Sequence, residues 1–193
     1  MITLGCLAEI YNYTNFYPKV LGGDKNKIGI TGYLDGFANF QDLQTFFADQ
    51  LPQAVNSTFE VELVNGGSNS QDQADAGIEA NLDVQFALGV SFPTPGLFWS
   101  TGGSPPFIPD NQLPENTNEP YWLDFVLSQW SLPTVISSSY GDDEQTVPES
   151  YARHACMQFA QLAARGVSVI VSSGDFGVGG IGGADGNPAD QSF

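Results

Sequence analysis

Stretches of strand length alternate with stretches of helical period from one end of this chain to the other. Lys27-Ile28-Gly29-Ile30-Thr31-Gly32-Tyr33-Leu34 reads as a buried strand, and Phe40 to Asp49 carries Phe40, Leu43, Phe46 and Phe47 at helical spacing. Phe59–Val64 is a second strand, ending in Asn65-Gly66-Gly67, and residues 74–89 form the next helix. Gly96–Thr101, a proline- and asparagine-rich excursion over 102–120, and a helix over Tyr121–Trp130 follow. Thr134–Ser139 is then a strand, Pro148–Arg165 a long helix with Gly166 past its end, and Val167–Val171 a continuous β-branched strand of the sort buried in parallel sheets. Strand and helix in regular alternation predict an α/β fold with a mostly parallel sheet and flanking helices. Active sites of such sheets gather at the carboxyl ends of the strands.

The 193 residues suffice for one domain with a sizeable core, and the 14 Phe, 7 Tyr and 3 Trp supply material for it. Charge narrows the partners. With 22 acidic and 5 basic residues, net charge −17, the chain lacks the cationic clusters that bind nucleic acid or an anionic membrane surface, so neither is expected as a partner. So acidic a chain sheds much of its self-repulsion near pH 4, which fits an acidic working environment as well as it fits simple solubility. No apolar run approaches the ~18–20 residues of a membrane span, and Met1–Cys6 does not read as a signal peptide. Cys6 and Cys156 can pair or stay free. Asn12-Tyr13-Thr14 and Asn56-Ser57-Thr58 are sequons, able to accept glycans in a secretory pathway.

Glu79 and Asp83 stand four apart in I-E-A-N-L-D-V-Q, one helical turn, so a helix over 74–89 turns both to one side. Two carboxyls in contact can share a proton, and such a pair serves as a general base at acidic pH, where histidine is protonated. The same spacing, shared by Asp72 and Asp75, also suits a solvated acidic face. Asp175 follows the Val167–Val171 strand between glycines in S-G-D-F-G. It is placed to donate a hydrogen bond to a developing oxyanion if protonated, or to cap its own turn if not. His154 is the single histidine and sits on a helix beside Arg153, which makes it an exposed helix residue rather than a triad base. The Gly177–Gly186 run has no Lys or Arg after it for a phosphate. No metal-ligand spacing occurs.

Taken together, T-L-G-C-L-A-E-I-Y-N, I-E-A-N-L-D-V-Q-F-A, V-I-S-S-S-Y-G and the block from Y-A-R-H-A-C-M-Q-F-A through G-V-S-V-I-V-S-S-G-D-F-G resemble the sedolisins. These are serine-carboxyl peptidases of subtilisin-like fold, and the likeness is strongest to their fungal tripeptidyl-peptidase-like members. The resemblance implies that Glu79 is the general base, Asp83 its orienting partner and Asp175 the oxyanion-hole carboxyl. It implies that Ser137, Ser138, Ser139, Tyr140 and Gly141 form the strand edge along which a peptide or protein substrate lies. The nucleophilic serine of that family sits in a G-T-S-A-like motif downstream, and no such motif occurs here. The expectation is therefore the N-terminal portion of a peptidase catalytic domain, truncated at the C-terminus. Its propeptide and calcium site would lie outside, the latter beyond Phe193, with no cofactor in this segment. The implied setting is extracellular or an acidic vacuolar-lysosomal compartment. The alternatives are a non-catalytic peptide-binding relative or a truncated gene product.

Overall fold

The computed structural model describes residues 2–20, 26–103, 119–141 and 147–175. Helix α1 (Leu4–Ile10) precedes strand β1 (Ile28–Gly32), helix α2 (Phe40–Gln50) and strand β2 (Phe59–Val64). Helix α3 (Ile78–Ser91), strand β3 (Gly96–Thr101), helix α4 (Glu119–Ser128), strand β4 (Val135–Ser138), helix α5 (Glu149–Ala164) and strand β5 (Ser168–Val171) follow. The five strands form one sheet in the order β2-β3-β1-β4-β5, every pair parallel. The expected α/β fold is present.

Each strand presents alternate residues to opposite faces, and each face has its own core. Ile30 and Phe98 point toward α2 and α3, where Leu43, Phe47, Phe59, Val84 and Leu88 bury with them. Trp99 and Ile136 point the other way, toward Trp122, Leu123 and Val126 of α4 and Leu162 of α5. The indoles of Trp99 and Trp122 meet edge-on at 5.6 Å, and Trp99 Nε1 donates to Glu62 Oε2 at 2.7 Å. Full burial of such side chains stabilises by about 1.5–3 kcal/mol each. Asn39 caps α2 by accepting from the N–H groups of Gln41 and Asp42. Arg165 closes the end of α4 by donating to the carbonyls of Leu127 and Gln129.

Two expectations change. Helix α3 begins at Ile78, not at residue 74: Asp72 caps a separate turn of 3-10 helix over Gln73–Asp75, and the chain extends through Ala76 and Gly77 before the helix starts. The acidic face running from Asp72 to Asp83 therefore does not exist as one stripe. Strand β5 is a strand, and among the described residues it stands at the sheet edge, with Ile170 59% and Val171 56% exposed. Its β-branched run reports extended backbone and not position within the sheet. Helix α1 was not foreseen. The Gly177–Gly186 run and most of the 102–120 excursion lie outside the described residues.

Candidate active site

Strand β1 lies at the middle of the sheet. The chain leaves β1 toward β2, returns to β3 beside β1, and then crosses to β4 on the other side, so the strand order reverses between β1 and β4. Segments leaving the carboxyl ends of those two strands diverge there and open a crevice. Three elements bring carboxyl groups or their partners to it.

Helix α3 contributes Glu79 and Asp83 from its first two turns. Its start is fastened to the segment leaving β1. The Gly77 N–H donates to Phe37 O at 3.0 Å, and a Cβ on Gly77 would stand 2.8 Å from Gly36 Cα and 2.9 Å from Phe37 N. Only glycine permits that approach. Asn81, on the same helix, accepts from Asn39 N–H at 2.9 Å and donates to Asp42 Oδ2 at 2.8 Å, tying α3 to the start of α2. The turn after β1 is closed by Gly36 N–H donating to Tyr33 O, with Leu34 and Asp35 both in left-handed backbone (φ 56° and 52°). That conformation is uncommon for residues other than glycine and is sustained by the packing around it.

Past the end of β4, Ser139 Oγ donates to Asp83 Oδ1 at 2.7 Å and is also in hydrogen-bond contact with Glu79. The other oxygen, Asp83 Oδ2, is buried and meets no donor while both carboxyls are ionised. Glu79 is in hydrogen-bond contact with Asp83, so a proton on either acid supplies the missing donor. Burial pushes Asp83 up from 3.8 to about 7, the Ser139 hydroxyl holds it back, and the charge and contact of Glu79 raise it again. Burial also raises Glu79 above 4.5, and the negative charge of Asp175 raises it further. Such a pair titrates as a unit, holding one proton into the neutral range.

Tyr140 is buried against Tyr33, ring centroids 4.9 Å apart and edge-on. Burial, then the charges of Asp83 and Glu79, push its phenol upward, so it stays neutral beside the pair. Asp175 is exposed in the bend after β5. The ladder runs on to Ser172, whose N–H donates to Ser138 O at 3.0 Å, and Gly174 at φ 75° turns the chain. The charge of Asp175 is felt at Glu79, and Ser139 past the end of β4 reaches Asp83 of α3.

Along the expected substrate edge, Ser137 is paired with Ile30 on one side and Ile170 on the other, while Ser138 is paired with Val171 on one side. Only Ser139, Tyr140 and Gly141 extend past the paired strand. His154 is 62% exposed, with Asp124 at 3.9 Å, and Cys6 and Cys156 are free and exposed. Among the described residues no group of three or more His, Cys, Asp or Glu side chains is placed to hold a metal ion.

The five-stranded parallel sheet with flanking helices is an α/β fold like that of sedolisin, which is subtilisin-like. The structure is similar to that of Pseudomonas sedolisin, a serine-carboxyl proteinase solved with two molecules of pseudo-iodotyrostatin. The TM-score is 0.52 at 24% identity, over 80% of this chain and 40% of that one, a likeness that bears on the fold. No protein-family profile matches the chain. Among curated proteins it is 44% identical over 187 residues to tripeptidyl-peptidase sed4 of Aspergillus fumigatus, covering 93% of this chain and 31% of that protein. It is 44% identical over 185 residues to the probable tripeptidyl-peptidase SED3 of Trichophyton verrucosum, covering 92% and 31%. The chain belongs to the sedolisin family, and it spans about a third of the length of these relatives.

Proposed function

We propose that this chain carries the carboxyl half of a serine-carboxyl peptidase active site, acting on peptides or proteins at acidic pH. The observation that carries the reading is the Glu79–Asp83 pair, held in hydrogen-bond contact at the switch point with Asp175 near enough to raise Glu79. In this reading Glu79 takes the proton from a serine supplied from outside these 193 residues, and later returns it to the leaving amine. Asp83 orients Glu79 and takes up part of the charge change. Asp175, when protonated, donates to the oxyanion of the tetrahedral intermediate. A substrate backbone lies along Tyr140 and Gly141, past the last paired residue of β4. A propeptide, and an extracellular or acidic vacuolar setting, belong to the same proposal. The 44% identity to proteins named tripeptidyl-peptidases supports the peptidase part of this reading.

The test is the chain within its whole protein, assayed on tripeptidyl substrates across pH 3–7. Glu79→Ala and Asp175→Ala should each lower turnover by roughly 10²-fold or more. Peptide binding without turnover in the wild type would favour the non-catalytic alternative. Unaltered turnover in both variants would refute the assigned roles.

A further inference from the structure

Ser139 was expected to belong to the substrate strand, yet its hydroxyl is already engaged. Its oxygen stands 2.7 Å from Asp83 Oδ1 and also contacts Glu79. One hydroxyl has one proton to donate, and the short distance gives it to Asp83. Asp83 has two oxygens, and the hydroxyl occupies one, so the buried Oδ2 is left as the atom through which Asp83 shares a proton with Glu79. The contact spans β4 and α3, so it also fixes the helix against the strand end.

We propose that Ser139 is a positioning residue of the carboxyl pair: by holding Asp83 Oδ1 it confines the shared proton to the side of Asp83 that faces Glu79. This rests on Glu79 and Asp83 being the working pair of the proposed function. The groups that face Asp83 are few. Glu79 comes from its own helix, Ser139 and Tyr140 from the segment after β4, and Asp175, reaching the pair through Glu79, from the segment after β5. Among the described residues no cation is one of them, so there a hydroxyl donor is the main stabiliser of the ionised form.

The measurement is a ¹³C-carboxyl NMR titration of the whole chain as wild type, Ser139→Ala and Ser139→Thr. A donor to a carboxylate favours the ionised form, so Ser139→Ala should raise the upper apparent pKa of the pair by about one unit. Ser139→Thr, which keeps the hydroxyl, should restore the wild-type curve. An unmoved titration in Ser139→Ala, or equal shifts in both variants, overturns the proposal. If the alanine variant does not fold, the wild-type hydroxyl decides. A slowly exchanging Ser139 proton whose shift follows the Asp83 titration supports the role, and a freely exchanging one overturns it. A Ser139→Ala protein with weakened peptide binding and an unmoved titration would return the residue to the substrate strand. None of these readouts needs turnover. Absence of turnover in the whole protein that contains this chain, with a Ser139-dependent titration, therefore sinks the peptidase reading and leaves only the hydroxyl's hold on the carboxyl pair.

Discussion

Raising the pH from 4 to 8 should destabilise this fold, and Asp83 should account for a large share of the loss. Its carboxyl is about 7 in the folded chain against an ordinary 3.8. Below pH 3.8 both states hold the proton, and Asp83 does not affect the folding equilibrium. Between 3.8 and about 7 the unfolded chain releases the proton while the folded chain keeps it, so each pH unit costs the fold up to about 1.4 kcal/mol. Above 7 both states are ionised and the loss is complete. Three units give an upper limit of about 4 kcal/mol, and solvent reaching the crevice lowers that to roughly 2–3. Against a total stability of about 5–15 kcal/mol this is a large fraction. The net charge of −17 adds its own self-repulsion as carboxyls ionise, so the wild-type curve alone does not isolate the site. Asp83→Asn does, because an amide has no charge to desolvate, and Glu79 loses its ionised neighbour. Urea unfolding followed by circular dichroism at half-unit pH steps measures both chains. The wild type should lose stability steeply from pH 4 to 7, and Asp83→Asn should lose roughly 2 kcal/mol less over the same span. Parallel curves would refute the claim that burial of this carboxyl opposes its ionisation.

Gly77→Ala should destabilise by about 1–3 kcal/mol in the same unfolding assay, because the clash is with main chain that cannot swing away, and overpacking outweighs the smaller gain from a stiffer unfolded chain. Its φ of −77° is open to alanine, so an unchanged midpoint would show that the approach to Gly36 relaxes cheaply. Tyr140→Phe keeps the ring against Tyr33 while removing a hydroxyl beside both carboxyls; carboxyl NMR should show a shift in the pair's titration with the fold intact. Asn12 and Asn56 are both exposed, in left-handed turn conformation, so expression in a secretory host should give two glycans, read as a stepwise mass loss on enzymatic deglycosylation and abolished singly by Thr14→Ala and Thr58→Ala.

What the sequence discloses here depends on the range of the interaction behind each feature. Strand and helix periods are local, and every strand and the four helices α2 to α5 exist in the order that period gave, with α3 starting four residues late and α4 shifted by two. Glu79 and Asp83 are one turn apart, so their shared direction is a local property too. The start of α3 was misread because Asp72 and Asp75 look like helix-starting residues, and they do cap a turn, but one that ends at Asp75. The true starting residue, Gly77, offers no side-chain cap; its reason is the backbone of Gly36, forty-one positions earlier (77 − 36). The burial of β5 is likewise not a local property, since nothing in V-S-V-I-V says which strands flank it. Ser139 marks the limit most clearly. Its partner Asp83 is 56 residues away, and within S-S-S-Y-G nothing separates it from Ser137 and Ser138. Strand alternation separates them once the sheet exists: Ser138 turns to the α4–α5 face, while Ser137 and Ser139 turn to the α3 face. Of those two, Ser137 is enclosed by paired strands on both sides, and Ser139 stands one residue past the ladder, level with the second turn of α3. The site is thus assembled from local signals, one per element, and its electrostatics come from the sheet order. Placing β1 between β3 and β4 is what sets the ends of β4 and β5 beside α3, and with them the hydroxyl and the second negative charge that decide where the pair's proton resides.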